Sequence, residues 1–362
     1  MYRKIDYPLL TATILLCIIG VFSVYSSTRT FGTGTHLAVQ LAAGGVGVLL
    51  MLLISFFDYE ELFPFAWYIY FLSLLVLVSV LFLGMTGIWG SKSWIKVGPV
   101  SIQPSEFIKC TFIVTLSAHL SKLGDRINTF RGFSGLCLHL LGIVTLIMLE
   151  PDFGTAVVFI FIFCVMVFLG GLSFKTIIPA ICGSIALSPL VYYFLDDYQK
   201  NRIKVFLNPE LDPLGSGYNV IRSKLTLGSG EIFGRGYLEG VSTGTGYLPA
   251  KHTDFIFSSI GEELGFMGGT LIILLLFFII IRAFKTSAKA DNPFGKFICI
   301  GAGANFLFHA AENIGMCMGL MPVTGIPLPF VSYGGSSLVA SFVLIGMVIS
   351  VSCHTRGDKI FK

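Results

Sequence analysis

The stretch Lys251-His252-Thr253-Asp254-Phe255-Ile256-Phe257, followed by Glu262-Glu263-Leu264-Gly265, gathers an amine, an imidazole, a hydroxyl and a carboxylate at the mouth of a long apolar run. Polar side chains beside such a run are costly and are kept where they have work to do. Asp254 is the candidate for chemistry, as a carboxylate able to accept a proton. Asp is also a good helix N-cap; if Thr253 caps instead, the carboxylate is left for reaction. Glu262 and Glu263 lie two turns further in. At least one must face protein or water, because a lipid-facing carboxylate costs a few kcal/mol.

Other polar groups recur at spacings that bring them together. Glu106 and Lys109 stand at i, i+3 and share a helix face, either as an ion pair that anchors packing or as a charged wall of an outward-open cavity. Glu150-Pro151-Asp152 has turn chemistry. His309, Glu312 and Asn313 are intramembrane polar groups, open to an interhelical hydrogen-bond network or to substrate contact. The Gly-rich stretch from Gly215 to Gly246 contains no G-x-x-x-x-G-K-[ST], so a nucleotide loop is set aside in favour of a backbone that turns tightly around something.

The elements that must carry these groups are membrane helices. Mean hydropathy is +0.84, and 54% of residues are hydrophobic against 12% charged, about half the charge of an ordinary soluble domain. That excludes a soluble chain, and a net charge of +4 spread between apolar runs makes nucleic acid an unsuitable partner. Eight Cys, all within or beside apolar runs and none in a C-x-x-C pair, read as small buried hydrophobes. With about 20 apolar residues per crossing, spans fall near 8–27, 36–55, 64–84, 105–120, 135–150, 153–172, 174–194, 255–282, 296–315 and 331–352. The expectation is an all-α polytopic membrane protein of ten transmembrane helices, a single domain over 1–362. One large loop, about 195–254, joins the seventh and eighth spans, with short amphipathic pieces at the membrane surface. The first helix reads as uncleaved, since no small-residue cleavage pattern follows it. Placing both termini in the cytoplasm puts 13 of the 24 Lys and Arg in short cytoplasmic segments and three in short outer loops, so the long loop is extracytoplasmic.

In these residues the chain resembles the SEDS family (shape, elongation, division and sporulation), which includes RodA, FtsW and SpoVE. The resemblance rests on Gly98-Pro99-Val100-Ser101-Ile102-Gln103-Pro104-Ser105-Glu106 with Lys109, and on Glu150-Pro151-Asp152-Phe153-Gly154-Thr155. In the loop it rests on Tyr198-Gln199, Arg202-Ile203, the run Asp212 to Tyr218, and Gly228-Ser229-Gly230. The longest matches are His252-Thr253-Asp254-Phe255-Ile256-Phe257 and the run from Gly325 through Pro327, Pro329, Ser332, Tyr333 and Gly334 to Ser337. A short N-terminus and the lack of tails resemble RodA more than FtsW. Departures are Ala250, Glu231 and Arg222, where the family commonly carries Glu, Gly and Gln; they bear on loop contacts rather than on Asp254.

The resemblance implies a peptidoglycan glycosyltransferase in the cytoplasmic (inner) membrane, serving cell-wall elongation and cell shape. Its substrate would be lipid II, a disaccharide-pentapeptide on undecaprenyl pyrophosphate. Its partners would be a class B penicillin-binding protein, MreC and MreD, together with membrane lipid. Attack of a GlcNAc 4-hydroxyl on C1 of MurNAc needs a base, for which Asp254 is the catalytic candidate. The leaving pyrophosphate needs cations rather than an acid. Lys109, Arg202 and Lys251, or a divalent cation (Mg or Mn), would meet that need, and both routes stay open. Glu106, His252, Thr253, Ser332 and Tyr333 complete the substrate-binding expectation; no protein metal site and no other cofactor is expected. One carboxylate with single inversion suits an α-linked donor giving a β-1,4 bond. A lipid II flippase is the alternative from another class, and a pure scaffold for the penicillin-binding partner is a third.

Overall fold

The computed structural model describes residues 5–30, 33–85, 93–97, 100–194, 197–212 and 215–355. The orienting charges Arg3, Lys4, Lys92, Arg356, Lys359 and Lys362, and the motif residues Gly98, Pro99, Pro213 and Leu214, lie outside the described residues. The chain runs α1 (Tyr7–Thr28), α2 (Thr33–Phe56), α3 (Ala66–Leu83), α4 (Pro104–Leu123), α5 (Phe130–Leu149), α6 (Phe153–Leu169) and α7 (Phe174–Phe194). It continues through α8 (Asp197–Leu207), α9 (Ser216–Gly228), α10 (Val241–Thr245), α11 (Ile256–Lys289), α12 (Pro293–Met318) and α13 (Gly335–His354). A two-stranded antiparallel hairpin, β1 (Ile95–Val97) and β2 (Val100–Ile102), precedes α4.

Each expected apolar stretch holds a helix. Seven of them, α1, α2, α3, α5, α11, α12 and α13, are long and apolar enough to cross a membrane on length and composition alone. The protein is thus a helical polytopic membrane protein. Helix α4 carries Glu106, Lys109 and Lys122 within 20 residues, which lowers its hydropathy below that of its neighbours. Helix starts follow local capping rules: Asp6 accepts from Leu9 N at 3.1 Å, Asp152 from Thr155 N at 3.1 Å and Asn292 from Phe294 N at 3.0 Å. Pro stands at the first turn of α1, α4 and α12, where its missing N–H costs nothing. Asp6 also receives Arg282 through Nε at 3.0 Å and Nη2 at 2.6 Å, tying the start of α1 to the far end of α11.

Helix α12 is the central post. It packs against α4, α6, α9, α11 and α13, and most of its length is buried inside the protein, whereas the outlying α2 is largely exposed. Gly301, Ala302, Gly303 and Ala304 make one buried turn of small residues all round the helix, which lets neighbouring helices approach closely where lipid supplies no hydrophobic drive.

The segment 195–254, expected as a large loop with short amphipathic pieces, does carry short helices. It holds α8, α9 and α10, and its Gly-rich part docks onto a break in α11. At Gly265 the backbone takes φ 68, ψ −165, a left-handed conformation that suits Gly. The break frees backbone groups on both sides, and the loop takes them up: Arg235 N donates to Glu262 O at 2.9 Å and Gly236 N to Glu263 O at 3.1 Å. Phe266 N and Met267 N donate to Glu231 O and Ile232 O at 2.9 and 3.2 Å. The tight turn read from the glycines is therefore a turn around helix α11 itself, and the eighth span is two helical pieces with a loop wedged between them.

Close backbone approach, not flexibility, explains Gly230, because a Cβ there would overlap the Gly261 carbonyl oxygen. Gly230→Ala is expected to destabilise the protein by roughly 2–3 kcal/mol through overpacking. Thermal unfolding in detergent should register a lower Tm; an unchanged Tm would show that the loop does not need this contact.

Candidate active site

The N-terminal ends of α4, α6 and α11 and the C-terminal end of α12 meet at one end of the helix bundle. They surround a cavity of about 780 Å³, which is closed on its sides by the β1–β2 hairpin, α8 and the segment 323–327. Glu106, Lys109, Arg202, His252, Thr253 and Asp254, six of the nine site residues expected from sequence, line it together. They come from three stretches separated by about a hundred and about fifty residues, and only the folded bundle joins them.

Asp254 does not cap a helix. Helix α11 starts at Ile256 without any side-chain cap, so the capping reading of Asp254, and that of Thr253, gives way to a half-buried carboxylate on the cavity wall. Its backbone is held unusually completely. The Lys251 carbonyl accepts from Ser259 Oγ at 3.2 Å, and that of His252 accepts from Tyr333 N at 2.8 Å. The Thr253 carbonyl accepts from Ser332 Oγ at 2.7 Å, and the Asp254 carbonyl from Asn313 Nδ2 at 2.9 Å. Four consecutive carbonyls are thus fixed by α11, α12 and the segment before α13. Just upstream, Ala250 sits at φ 48, and its carbonyl closes the turn by accepting from Thr253 N and Phe255 N at 3.1 and 3.2 Å.

Burial pushes the Asp254 carboxyl up to about 6, because it disfavours the charged form; the Arg202 guanidinium and then a Thr253 hydrogen bond act in the opposite direction. His252 moves the other way, down to about 4, through burial and then the neighbouring His36 and Lys251. It is neutral at pH 7 and offers no charge to an anion.

Deeper in the cavity, Lys109 Nζ lies 2.8 Å from Glu106 Oε1 and 3.0 Å from His309 Nε2. An ammonium has only donors, so Nε2 must accept; the ring proton is then on Nδ1, which donates to Pro327 O at 3.2 Å. Both readings of the Glu106–Lys109 spacing hold at once, since this buried ion pair is also part of the cavity wall. The turn residue Asp152 likewise has a second role: it faces the cavity, caps α6 and receives Gln103 Nε2 at 3.2 Å.

Three expected site residues do not line the cavity. Lys251 is 2% exposed, and its ammonium donates to the Thr243 carbonyl and, at 3.5 Å, to Thr30 Oγ1. Burial, then Arg29, lowers its pKa, with Glu262 and Glu263 opposing. Within the 250–254 turn Lys251 points inward toward α10, while Ala250, His252, Thr253 and Asp254 line the cavity. Ser332 and Tyr333 touch the 252–253 backbone rather than the open space, and the Tyr333 ring packs on His36 and His252 with centroids 5.0 and 5.5 Å away. Glu262 faces protein, accepting from Ser242 N at 2.8 Å, Thr243 N at 2.9 Å and Thr243 Oγ1 at 2.7 Å; Glu263 accepts from Ser26 Oγ.

Sequence reasoning missed Gln103, Gln199, Asn219 and Thr324 as lining residues, and His309, left open between a hydrogen-bond network and substrate contact, lines the cavity too. Gln103 and Gln199 stand inside the family motifs, and His309 carries the signal of a polar group in an apolar span. Asn219 has no such signal. Among the described residues no group of three or more His, Cys, Asp or Glu is arranged to hold a metal ion.

A polytopic helical membrane protein with three carboxylates (Glu106, Asp152, Asp254) and three cationic side chains (Lys96, Lys109, Arg202) around a cavity at one end of the bundle is the class that fold and site define. The chain belongs to the FtsW/RodA/SpoVE family: residues 7–357 match the family described as "Cell cycle protein". It is 36% identical over 360 residues to the probable peptidoglycan glycosyltransferase FtsW of Trichlorobacter lovleyi, covering 97% of this chain and 94% of that one. It is 38% identical over 364 residues to stage V sporulation protein E of Bacillus subtilis, covering 97% and 98%. A solved chain from a peptidoglycan synthase complex that coordinates polymerization and crosslinking matches with a TM-score of 0.85 at 31% identity, covering 99% of this chain and 100% of that one.

If Lys251 is a clamp on α10 and not a cavity cation, Lys251→Met leaves the Thr243 carbonyl without its charged donor, a loss of about 1.5–3 kcal/mol. Limited proteolysis within 229–250 is expected to accelerate about tenfold or more. Cleavage at the parental rate would argue against the clamp.

Proposed function

We propose that the protein is a peptidoglycan glycosyltransferase that polymerises lipid II at the outer face of the cytoplasmic membrane, with Asp254 as general base. The observation that carries this reading is the Asp254 carboxylate: open to a cavity large enough for a sugar, fixed through its backbone, and facing Arg202. Membership of a family whose relatives bear peptidoglycan glycosyltransferase names supports the substrate class.

In the proposed reaction Asp254 accepts the proton of the acceptor GlcNAc 4-hydroxyl as its oxygen bonds to C1 of the donor MurNAc. The C1–oxygen bond to pyrophosphate breaks on the opposite face, which inverts the anomeric centre. Undecaprenyl pyrophosphate leaves as an anion that needs no proton, so a second carboxyl acting as acid, as in glycoside hydrolysis, is not required. Arg202 and Lys109, with Lys96 of the β1–β2 hairpin, are the cations on the cavity wall for the departing charge. The low-dielectric surroundings of Arg202 and Lys109 make each charge count for more than it would in water. A divalent cation on the pyrophosphate stays the alternative to these side chains, since Mg is commonly held by one or two carboxylates together with substrate phosphates.

Within this reading Ser332 and Tyr333 position the 252–253 backbone, and Thr253 and neutral His252 offer hydrogen-bonding groups rather than charge. The orientation with cytoplasmic termini puts the cavity at the outer surface, where a lipid-linked sugar can enter sideways with its tail in the bilayer. A class B penicillin-binding protein is the proposed partner, in keeping with the synthase complex among the similar structures. MreC and MreD, and a role in elongation and cell shape, complete the proposal.

Purified protein with lipid II, with and without the penicillin-binding partner, provides the test. Asp254→Asn should lower glycan formation by about 10²–10⁴-fold while the protein stays monodisperse; chains made at the parental rate would end the proposal. Because the base works only when ionised, the rate should rise with pH through about 6. Arg202→Gln removes the charge that opposes burial, so that limb of the pH–rate profile should move to higher pH. A limb that stays in place would separate Arg202 from the carboxylate.

A further inference from the structure

Asn313 lies in the C-terminal part of α12, fully buried, in a helix largely built from small and apolar side chains. Its amide nitrogen donates twice: to the Asp254 carbonyl at 2.9 Å and to the Ile326 carbonyl at 2.8 Å. Both targets are acceptors, which fixes the orientation of the amide with its nitrogen toward them. Its oxygen, Oδ1, receives no hydrogen bond among the described residues. A polar amide in an apolar helix calls for a reason, and its two donated bonds supply one.

Those bonds join the two walls that meet at the carboxylate. Ile326 follows Gly325, which takes φ 80, and a Cβ on Gly325 would lie 3.7 Å from Asp254 Oδ2. One residue earlier on α12, Glu312 receives the Thr324 hydroxyl. Residues 312 and 313 therefore grip the segment on either side of Gly325, and Asn313 also holds the Asp254 carbonyl, which takes a second, weaker contact from Cys317 Sγ at 3.7 Å. A carboxamide suits this role because it is the smallest neutral side chain with two donors on one atom. Lys or Arg would add a charge beside the base, and Ser would reach only one carbonyl.

We infer that Asn313 is a positioning residue, the clasp that fixes the Asp254 carboxylate against the 324–326 wall of the cavity. This rests on Asp254 being the base. The clasp makes no contact with the sugar; it keeps the proton acceptor in one place, so its loss is felt in the chemical step and not in substrate capture.

The experiment measures kcat and KM for lipid II polymerisation by the full-length protein, with thermal unfolding alongside. Asn313→Leu, close in size but without donors, should lower kcat by about thirtyfold or more while KM stays within about threefold. Asn313→Ser, which keeps one donor, should fall between Asn313→Leu and the parent, and it serves as the primary variant if the leucine protein does not fold. An unchanged kcat, a loss confined to KM, or equal rates for the Ser and Leu variants would overturn the inference. Asp254→Asn is run in parallel: if it polymerises at the parental rate, the base assignment has failed. If it is inactive while Asn313→Leu keeps full kcat, only the clasp has failed.

Discussion

The geometry of this protein depends on how the backbone carbonyls of residues 251–254 are held. Each accepts a hydrogen bond from a group distant in sequence or a turn further along, on α11, α12 or the segment that leads into α13. Every one of these bonds is individually modest, about 0.5–1.5 kcal/mol net. Breaking one, however, leaves a carbonyl in a place water reaches poorly, and that asymmetry makes the set behave as a unit. A carboxylate on a short turn would ordinarily sample many positions. Here the side-chain rotamer is the main freedom left to it, which is the pre-organisation a proton acceptor needs before its substrate arrives.

Around that fixed point the charges are arranged by depth. Lys109 is neutralised by Glu106 and braced by His309 within the bundle, where an unpaired ammonium would be far more costly than a paired one. Arg202 belongs to α8, outside the long helices, and its charge works against the burial of Asp254. The second acidic layer, Glu262 and Glu263, serves architecture: Glu262 closes the amide ends of α10, and Glu263 receives Ser26 of α1. The helix break at Gly265 belongs to the same scheme, since it frees the backbone groups that bind the loop at the height of these carboxylates.

Much of this is legible without coordinates. The positions of the long helices follow from hydropathy, because lipid demands long apolar stretches and punishes interruptions. Asp254, Arg202, Glu106 and Lys109 stand out as polar groups in or beside such stretches, and they do share a cavity. The segment 195–254 reads as a loop with short amphipathic pieces, and it does hold the short helices α8, α9 and α10, whereas the docking of its Gly-rich part onto a broken helix leaves only glycines as a trace. Lys251 is misplaced by the sequence because adjacency to Asp254 along the chain suggests adjacency in space, although neighbouring residues on a turn diverge.

By itself, then, the sequence determined the class of environment, the helices that cross it, and which polar residues are too costly to be idle. All of these follow from transfer energies and local capping, which need no partner. The tertiary structure decided which of those polar residues face one another, which tautomer His309 adopts, and that Asn313 rather than a helix cap holds Asp254. Those choices depend on contacts between segments tens to hundreds of residues apart, and no local pattern of residues encodes such distances.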